Sequence, residues 1–231
     1  MLLLAGCSFV NDPDCHLTGF GSLAHDCHSC KIVSRSGAGN AYIASSILDN
    51  LTDDITEVFV LWSGLSRIDL ALPKCRVDSI GNFSHKNLEQ HELWIHSGGW
   101  GGLWTLEQKS LPSWLCEYLQ NMYYPLDWNM INRRSLQCVI GCLNTLEARN
   151  IPYRWNFIYD IFQDYSNTSS LGPAIEPDHP LLRLLPVDNR LASTPYEFCK
   201  HRNLLKPDNF HPTQTGWQEW FASLGEWRPV L

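Results

Sequence analysis

The sequence predicts an α/β fold: a three-layer α/β/α sandwich around a central, mostly parallel sheet. Three observations carry this. Residues 2–5 are an unbroken apolar run that stops at Gly6. Residues 57–62, Glu-Val-Phe-Val-Leu-Trp, are β-branched and aromatic and stop at Ser63-Gly64. Stretches with helical apolar spacing lie between the strand-like runs. An apolar run without alternation belongs to a strand buried on both faces, as in a parallel sheet. Strands that alternate with helices give such a sheet, covered on both sides.

The elements follow in order. Residues 2–5 are the first strand. Residues 11–31, rich in Asp, His, Cys and Gly, read as loop, and Ile32-Val33 as a short strand. Ser36-Gly37-Ala38-Gly39-Asn40 reads as a turn, with Asn40 able to cap a helix over 41–51. Residues 57–62 form the clearest strand. Residues 73–112 read as an irregular Trp- and Gly-rich insertion. Helices are expected over 113–124 and 133–149, the second on the spacing of Leu136, Val139, Ile140, Leu143 and Leu146. A strand is expected over 154–161, a long loop over 165–195, and a closing helix over 213–224. The whole chain, 1–231, reads as one domain.

Bulk properties remove several function classes. Charged residues make up 18% of the 231 and the formal net charge is -7, with no basic run. Such a chain has no general attraction to nucleic acid or to anionic membranes. No segment approaches the roughly 18 apolar residues of a membrane span. Met1 to Cys7 superficially matches a lipoprotein cleavage box. No Lys or Arg precedes Cys7, however, and the apolar stretch falls short of the about 7–15 residues of an export signal. The expectation is a first strand in an unexported protein, cytoplasmic or virus-encoded. Nine cysteines cannot all pair internally, and most read as small apolar groups.

The chemistry-bearing residues sit at the two ends of the chain. A serine hydroxyl is a weak nucleophile that needs an adjacent base, and the base needs an orienting carboxylate. Asp208-Asn209-Phe210-His211 supplies base and carboxylate three residues apart. Ser8 follows a buried strand and Gly6. The chain order Ser, Asp, His also occurs in other α/β hydrolases. Each half alone is common by chance. Strand-end hydroxyl, capping histidine and Asx turn are the structural readings of Ser8, His211 and Asp208 respectively.

Together these segments resemble the SGNH/GDSL hydrolases. Gly6-Cys7-Ser8-Phe9 looks like the family's first block, with Cys7 where Asp is usual, and Asp208-Asn209-Phe210-His211-Pro212-Thr213 with Gly216 looks like its last block. The turn at Gly37, ahead of Asn40, is similar to the second block, whose glycine lends an oxyanion-hole amide. The third block departs from the pattern: Trp62-Ser63-Gly64-Leu65-Ser66-Arg67 lacks the asparagine whose side chain completes the hole. Loss of one such donor costs about 2.7–4 kcal/mol of barrier. Ser63 and Arg67 are the candidates to replace it, and Asn40 is a further candidate for substrate contact. Gly37, Asn40, Ser63 and Arg67 also have structural readings: backbone geometry for Gly37, a helix cap for Asn40, and a structural role for Ser63 and for Arg67, the latter paired with Asp69 or another acid.

The resemblance implies a flavodoxin-like fold and a serine esterase that needs no cofactor. It would act on small acyl esters, carbohydrate O-acetyl groups among them, with Ser8, Asp208 and His211 as triad. The alternative is a binding or structural module that kept the fold without efficient turnover. His25-Asp26-Cys27-His28-Ser29-Cys30, with Cys15 and His16, contains zinc-ligand types. It lacks the second ligand pair of a structural site, so plain loop is the reading taken, with zinc and a disulfide as alternatives. Trp94, Trp100, Trp104 and Trp114 read mainly as packing residues, with one or two able to line a cleft.

Overall fold

A computed structural model describes residues 1–10, 30–35, 37–73, 92–96, 117, 121, 128–163, 175–208 and 210–224. Its centre is a four-stranded, wholly parallel sheet. β1 (Leu2–Gly6) lies between β2 (Cys30–Ser34) and β3 (Glu57–Trp62), and β6 (Tyr153–Phe157) lies outside β3. Every residue of β1 is buried, as are residues 58–62 of β3. That burial on both faces is why these two runs are apolar without alternation. The expected α/β architecture with a parallel sheet is therefore present.

Helices fill the connections. α1 (Asn40–Asp49) links β2 to β3, and α2 (Trp128–Ala148) precedes β6. The two pack on each other. α2 buries Ile131, Leu136, Val139, Ile140, Leu143 and Leu146 and exposes Arg133 and Arg134, the stripe that helical spacing demands. It ends where Asn150 takes a positive φ of 54° and the Ile151 N–H returns to the Leu146 carbonyl at 3.0 Å. Near the C-terminus, α3 (Pro195–His201) starts with Thr194 as cap and Pro195 in its first turn. α4 (Gln214–Ser223) starts with the Thr213 side chain accepting from the Gly216 N–H at 3.0 Å. Trp220 of α4 is fully buried with its ring edge against Phe59 of β3.

Several expectations need correction. Gly39, not Asn40, is the N-cap of α1, and Asn40 is the first helical residue. The segment expected to be irregular contains β5 (Glu92–His96), which pairs antiparallel with β4 (Asp69–Pro73). The long loop expected over 165–195 holds two 3-10 turns, Pro180–Leu184 and Val187–Asn189. The chain beyond them runs along the free edge of β6, where the Leu191 N–H bonds the Trp155 carbonyl at 2.9 Å and closes an exposed edge. The Asp/His/Cys-rich residues 15–28, Trp100, Trp104, Trp114 and most of the helix expected over 113–124 lie outside the described residues. Among the described residues no three His, Cys, Asp or Glu side chains group as a metal site, and no helix is long and apolar enough to cross a membrane.

Candidate active site

The strand order reverses at β1. The chain leaves β1 for β2 on one side and returns through α1 to β3 on the other. In open parallel sheets, ligands bind beyond the carboxyl ends of the strands at such a reversal point. Ser8 lies there, two residues beyond the end of β1. A tight turn follows Gly6, closed by the Val10 N–H on the Cys7 carbonyl at 2.9 Å. A Cβ at position 6 would sit 2.5 Å from Val10 Cγ2 and 2.8 Å from the Leu61 carbonyl oxygen, so this turn admits only glycine there.

The opposite partner comes from a short loop between α3 and α4. The Leu204 carbonyl receives the Thr213 N–H at 2.8 Å and the His211 carbonyl receives the Lys206 N–H at 2.7 Å, so residues 206–211 form a tied-off tip. Asp208 organises that tip. Its Oδ1 accepts the Phe210 and His211 N–H groups, both at 2.9 Å, in an Asx turn. That leaves Oδ2 for the imidazole, 2.6 Å from His211 Nδ1. The other ring nitrogen, Nε2, lies 3.0 Å from Ser8 Oγ. The structural and functional readings of Asp208 are therefore compatible, one carboxylate oxygen for each. The Phe9 ring packs 4.9 Å from Phe210 and 5.2 Å from the imidazole, which fixes the ring of His211 from the side.

Electrostatics favour a neutral imidazole. Burial pushes the His211 pKa below its ordinary 6.5; the adjacent Asp208 carboxylate opposes this, and the positive charges of Arg67 and Lys206 add to it. For Asp208, burial works against ionisation. The amides of Phe210 and His211 and the imidazole together outweigh it and hold the carboxyl below its usual 3.8. At neutral pH the arrangement is a neutral base against an ionised carboxylate. A serine hydroxyl in hydrogen-bond contact can give its proton to that base.

The remaining expected site residues divide. Gly37 sits in the turn beyond β2 with φ 73°, a left-handed conformation that favours glycine. Among the described residues, neither its N–H nor that of Ser8 donates a hydrogen bond. Both residues lie beyond the carboxyl ends of adjacent strands, Ser8 after β1 and Gly37 after β2. Asn40, by contrast, is bonded: its Nδ2 donates to the Ser63 carbonyl at 3.1 Å and to Ser135 Oγ at 2.8 Å, and its Oδ1 accepts the Ser63 N–H at 2.8 Å. It is 1% exposed and wholly engaged, a support for the end of β3 rather than a substrate contact. Ser63 is thereby held by its backbone, while its buried Oγ has no partner among the described residues. Arg67 donates Nη1 to the Ala38 carbonyl at 3.1 Å, and its buried Nε has no partner among the described residues. Asp69 instead receives the Gly39 and Tyr42 N–H groups at 2.8 Å each, an acidic cap on the N-terminus of α1.

Sequence reasoning missed Ser135 and the capping role of Asp69. Ser135 carried a weak signal, a polar residue on the apolar stripe of α2; Asp69 is remote from α1 in sequence and carried none. Comparison with protein-family models, curated proteins and solved structures finds no match to this chain.

Proposed function

We propose that this chain is a serine hydrolase of the SGNH/GDSL type that cleaves small acyl esters, carbohydrate O-acetyl groups among them. The observation that carries the reading is the unbroken line from Asp208 Oδ2 through His211 to Ser8 Oγ, with links of 2.6 and 3.0 Å. It joins residues 203 positions apart. Two further features support it: the strand order β2-β1-β3-β6 is that of a flavodoxin-like sandwich in its first four places, and the nucleophile candidate sits at the reversal point of the sheet.

The chemistry follows from the geometry. His211 Nε2 takes the proton of Ser8 Oγ as the oxygen attacks the ester carbonyl. Asp208 keeps Nδ1 protonated and steadies the imidazolium. The N–H groups of Ser8 and Gly37 receive the negative charge that develops on the carbonyl oxygen. The imidazolium then protonates the departing alcohol. Water, deprotonated by the same imidazole, releases the acid from the acyl-enzyme.

One observation favours a second reading, a binding module without turnover. Residues 62–67 contain no asparagine to complete an oxyanion hole, and the amide of Asn40 is consumed internally. An aryl acetate assay with a serine-directed phosphonate separates the two. The esterase reading expects turnover, covalent labelling at Ser8, and loss of both in Ser8→Ala. Absence of turnover and labelling in the folded wild-type protein selects the module.

A further inference from the structure

We propose that Arg67 is the anion receptor of this site, so that the esters the protein takes carry a carboxylate or similar fixed negative charge close to the scissile bond. The inference rests on the esterase reading above and names its substrate class.

Arg67 is 6% exposed. Guanidinium groups stay charged at any working pH, and buried charges in proteins are almost always paired. Here the described contacts of the guanidinium amount to one, Nη1 on the Ala38 carbonyl. Nε is buried without a partner, and among the described residues no carboxylate lies within ion-pair distance. A single carbonyl does not neutralise a buried cation. The Nε side of the fork is left over beneath covering protein atoms, and a carboxylate that displaces that cover can be gripped there in two parallel hydrogen bonds.

The location joins this charge to the site. Arg67 lies just beyond the carboxyl end of β3 and bonds to the turn beyond β2, so it bridges the two strands that flank β1 and Ser8. It stands near enough to depress the His211 pKa. The attack step protonates His211, and an uncompensated neighbouring cation opposes it. A substrate anion seated on Arg67 cancels that opposition throughout the reaction. Among the described residues, the N–H groups of Ser8 and Gly37 make no hydrogen bond, which leaves them for the transient oxyanion.

The test uses matched ester pairs, one pair with the charge on the acyl side and one with it on the alcohol side. These are para-nitrophenyl hemisuccinate against para-nitrophenyl pentanoate, and para-acetoxybenzoate against para-acetoxybenzamide. The readout is the ratio of kcat/KM, charged over neutral, in wild type divided by the same ratio in Arg67→Gln. This quotient cancels intrinsic ester reactivity. In one pair it should be roughly tenfold or more, about 1.4 kcal/mol. Arg67→Lys, which keeps the charge but not the fork, should fall between. The wild-type preference should also shrink at high salt. If Arg67→Gln does not fold, the salt dependence of the wild-type ratio decides alone. A wild-type ratio near one in both pairs, or a preference that survives Arg67→Gln or high salt, overturns the inference. Ser8-dependent hydrolysis of the neutral members with no charge preference leaves the esterase reading standing while the receptor fails. Absence of Ser8-dependent hydrolysis for all four esters removes both.

Discussion

Asn40 and Ser63 exchange two hydrogen bonds, Ser63 N–H to Oδ1 at 2.8 Å and Nδ2 to the Ser63 carbonyl at 3.1 Å. A side-chain amide here does what a neighbouring strand would do, satisfying both backbone groups of the residue that follows β3. The second Nδ2 proton reaches Ser135 Oγ on α2 at 2.8 Å. One buried residue thereby ties α1, α2 and the end of β3 together. Asn40→Leu strands a buried N–H, a buried carbonyl and the Ser135 hydroxyl. Each unsatisfied group costs about 1–3 kcal/mol. The expected loss is about 3 kcal/mol or more, read from urea unfolding midpoints at constant m-value. A change under about 0.5 kcal/mol contradicts this account.

Asp208→Asn isolates the orienting role. The new side chain keeps an acceptor oxygen for the Phe210 and His211 amides, so the Asx turn survives. Its other terminus is an NH2 group facing Nδ1 where a carboxylate stood. The imidazole then places its proton on Nε2, toward Ser8, and can no longer accept there. The expected result is a fall in kcat of roughly three to four orders of magnitude. Thermal stability should fall only modestly, since the Asx turn survives and the Asp208 side chain is 43% exposed. A variant that retains a tenth of wild-type kcat removes Asp208 from its role.

The pH profile follows from the His211 environment. Burial holds its pKa below 6.5, and only the neutral imidazole can accept the serine proton. The kcat/KM should rise with pH along an acid limb whose midpoint lies below 6.5, then level off. The limb belongs to the hydrogen-bonded His211–Asp208 pair rather than to one group. Stability carries the same sign. Between the folded pKa and 6.5 the unfolded chain binds more protons at this position, so folding free energy is lost as pH falls through that window. Asp208, held below 3.8, loses its contribution at lower pH still. Rate profiles and urea midpoints measured from pH 4 to 8 on wild type and His211→Gln check both parts. An acid limb centred above 6.5 contradicts the electrostatic account.

How much of this was legible in the sequence depends on how local each signal is. β1 and β3 were readable because burial on both faces leaves an uninterrupted apolar run. α2 was readable because its buried residues recur at helical spacing. Ser8, Asp208 and His211 were found as two short end motifs, and the resemblance suggested joining them. The 3.0 Å contact itself depends on a sheet order that no local pattern encodes. Asn40 was misplaced for a related reason. An Asn after a Gly-rich turn fits a helix cap on local grounds, yet the partner that claims it is 23 residues away. The cap it vacates falls to Asp69, 30 residues beyond Gly39. The β4–β5 hairpin escaped because its strands are short and far apart in sequence, with no tight-turn signal between them.

Gly6→Ala tests the link between the first strand and Ser8, the proposed nucleophile. The added methyl would meet Val10 Cγ2 at 2.5 Å and the Leu61 carbonyl oxygen at 2.8 Å. The first contact involves a fully buried side chain in the turn that carries Ser8, and the second involves the backbone of β3. Neither can yield without moving the 7–10 turn away from β3. Overpacking of this kind costs about 1–3 kcal/mol. The same shift carries Ser8 Oγ off its 3.0 Å contact with His211. Misplacement by about 1 Å can cost on the order of a hundredfold in rate. A double readout is therefore expected, a lower unfolding midpoint together with a large fall in kcat. The matched control is Gly141→Ala on α2, where a Cβ meets nothing within 4 Å. That change should leave kcat intact and stabilise the helix by roughly 0.5–1 kcal/mol. If Gly6→Ala and Gly141→Ala behave alike in both measurements, the strand-end glycine does not position the serine.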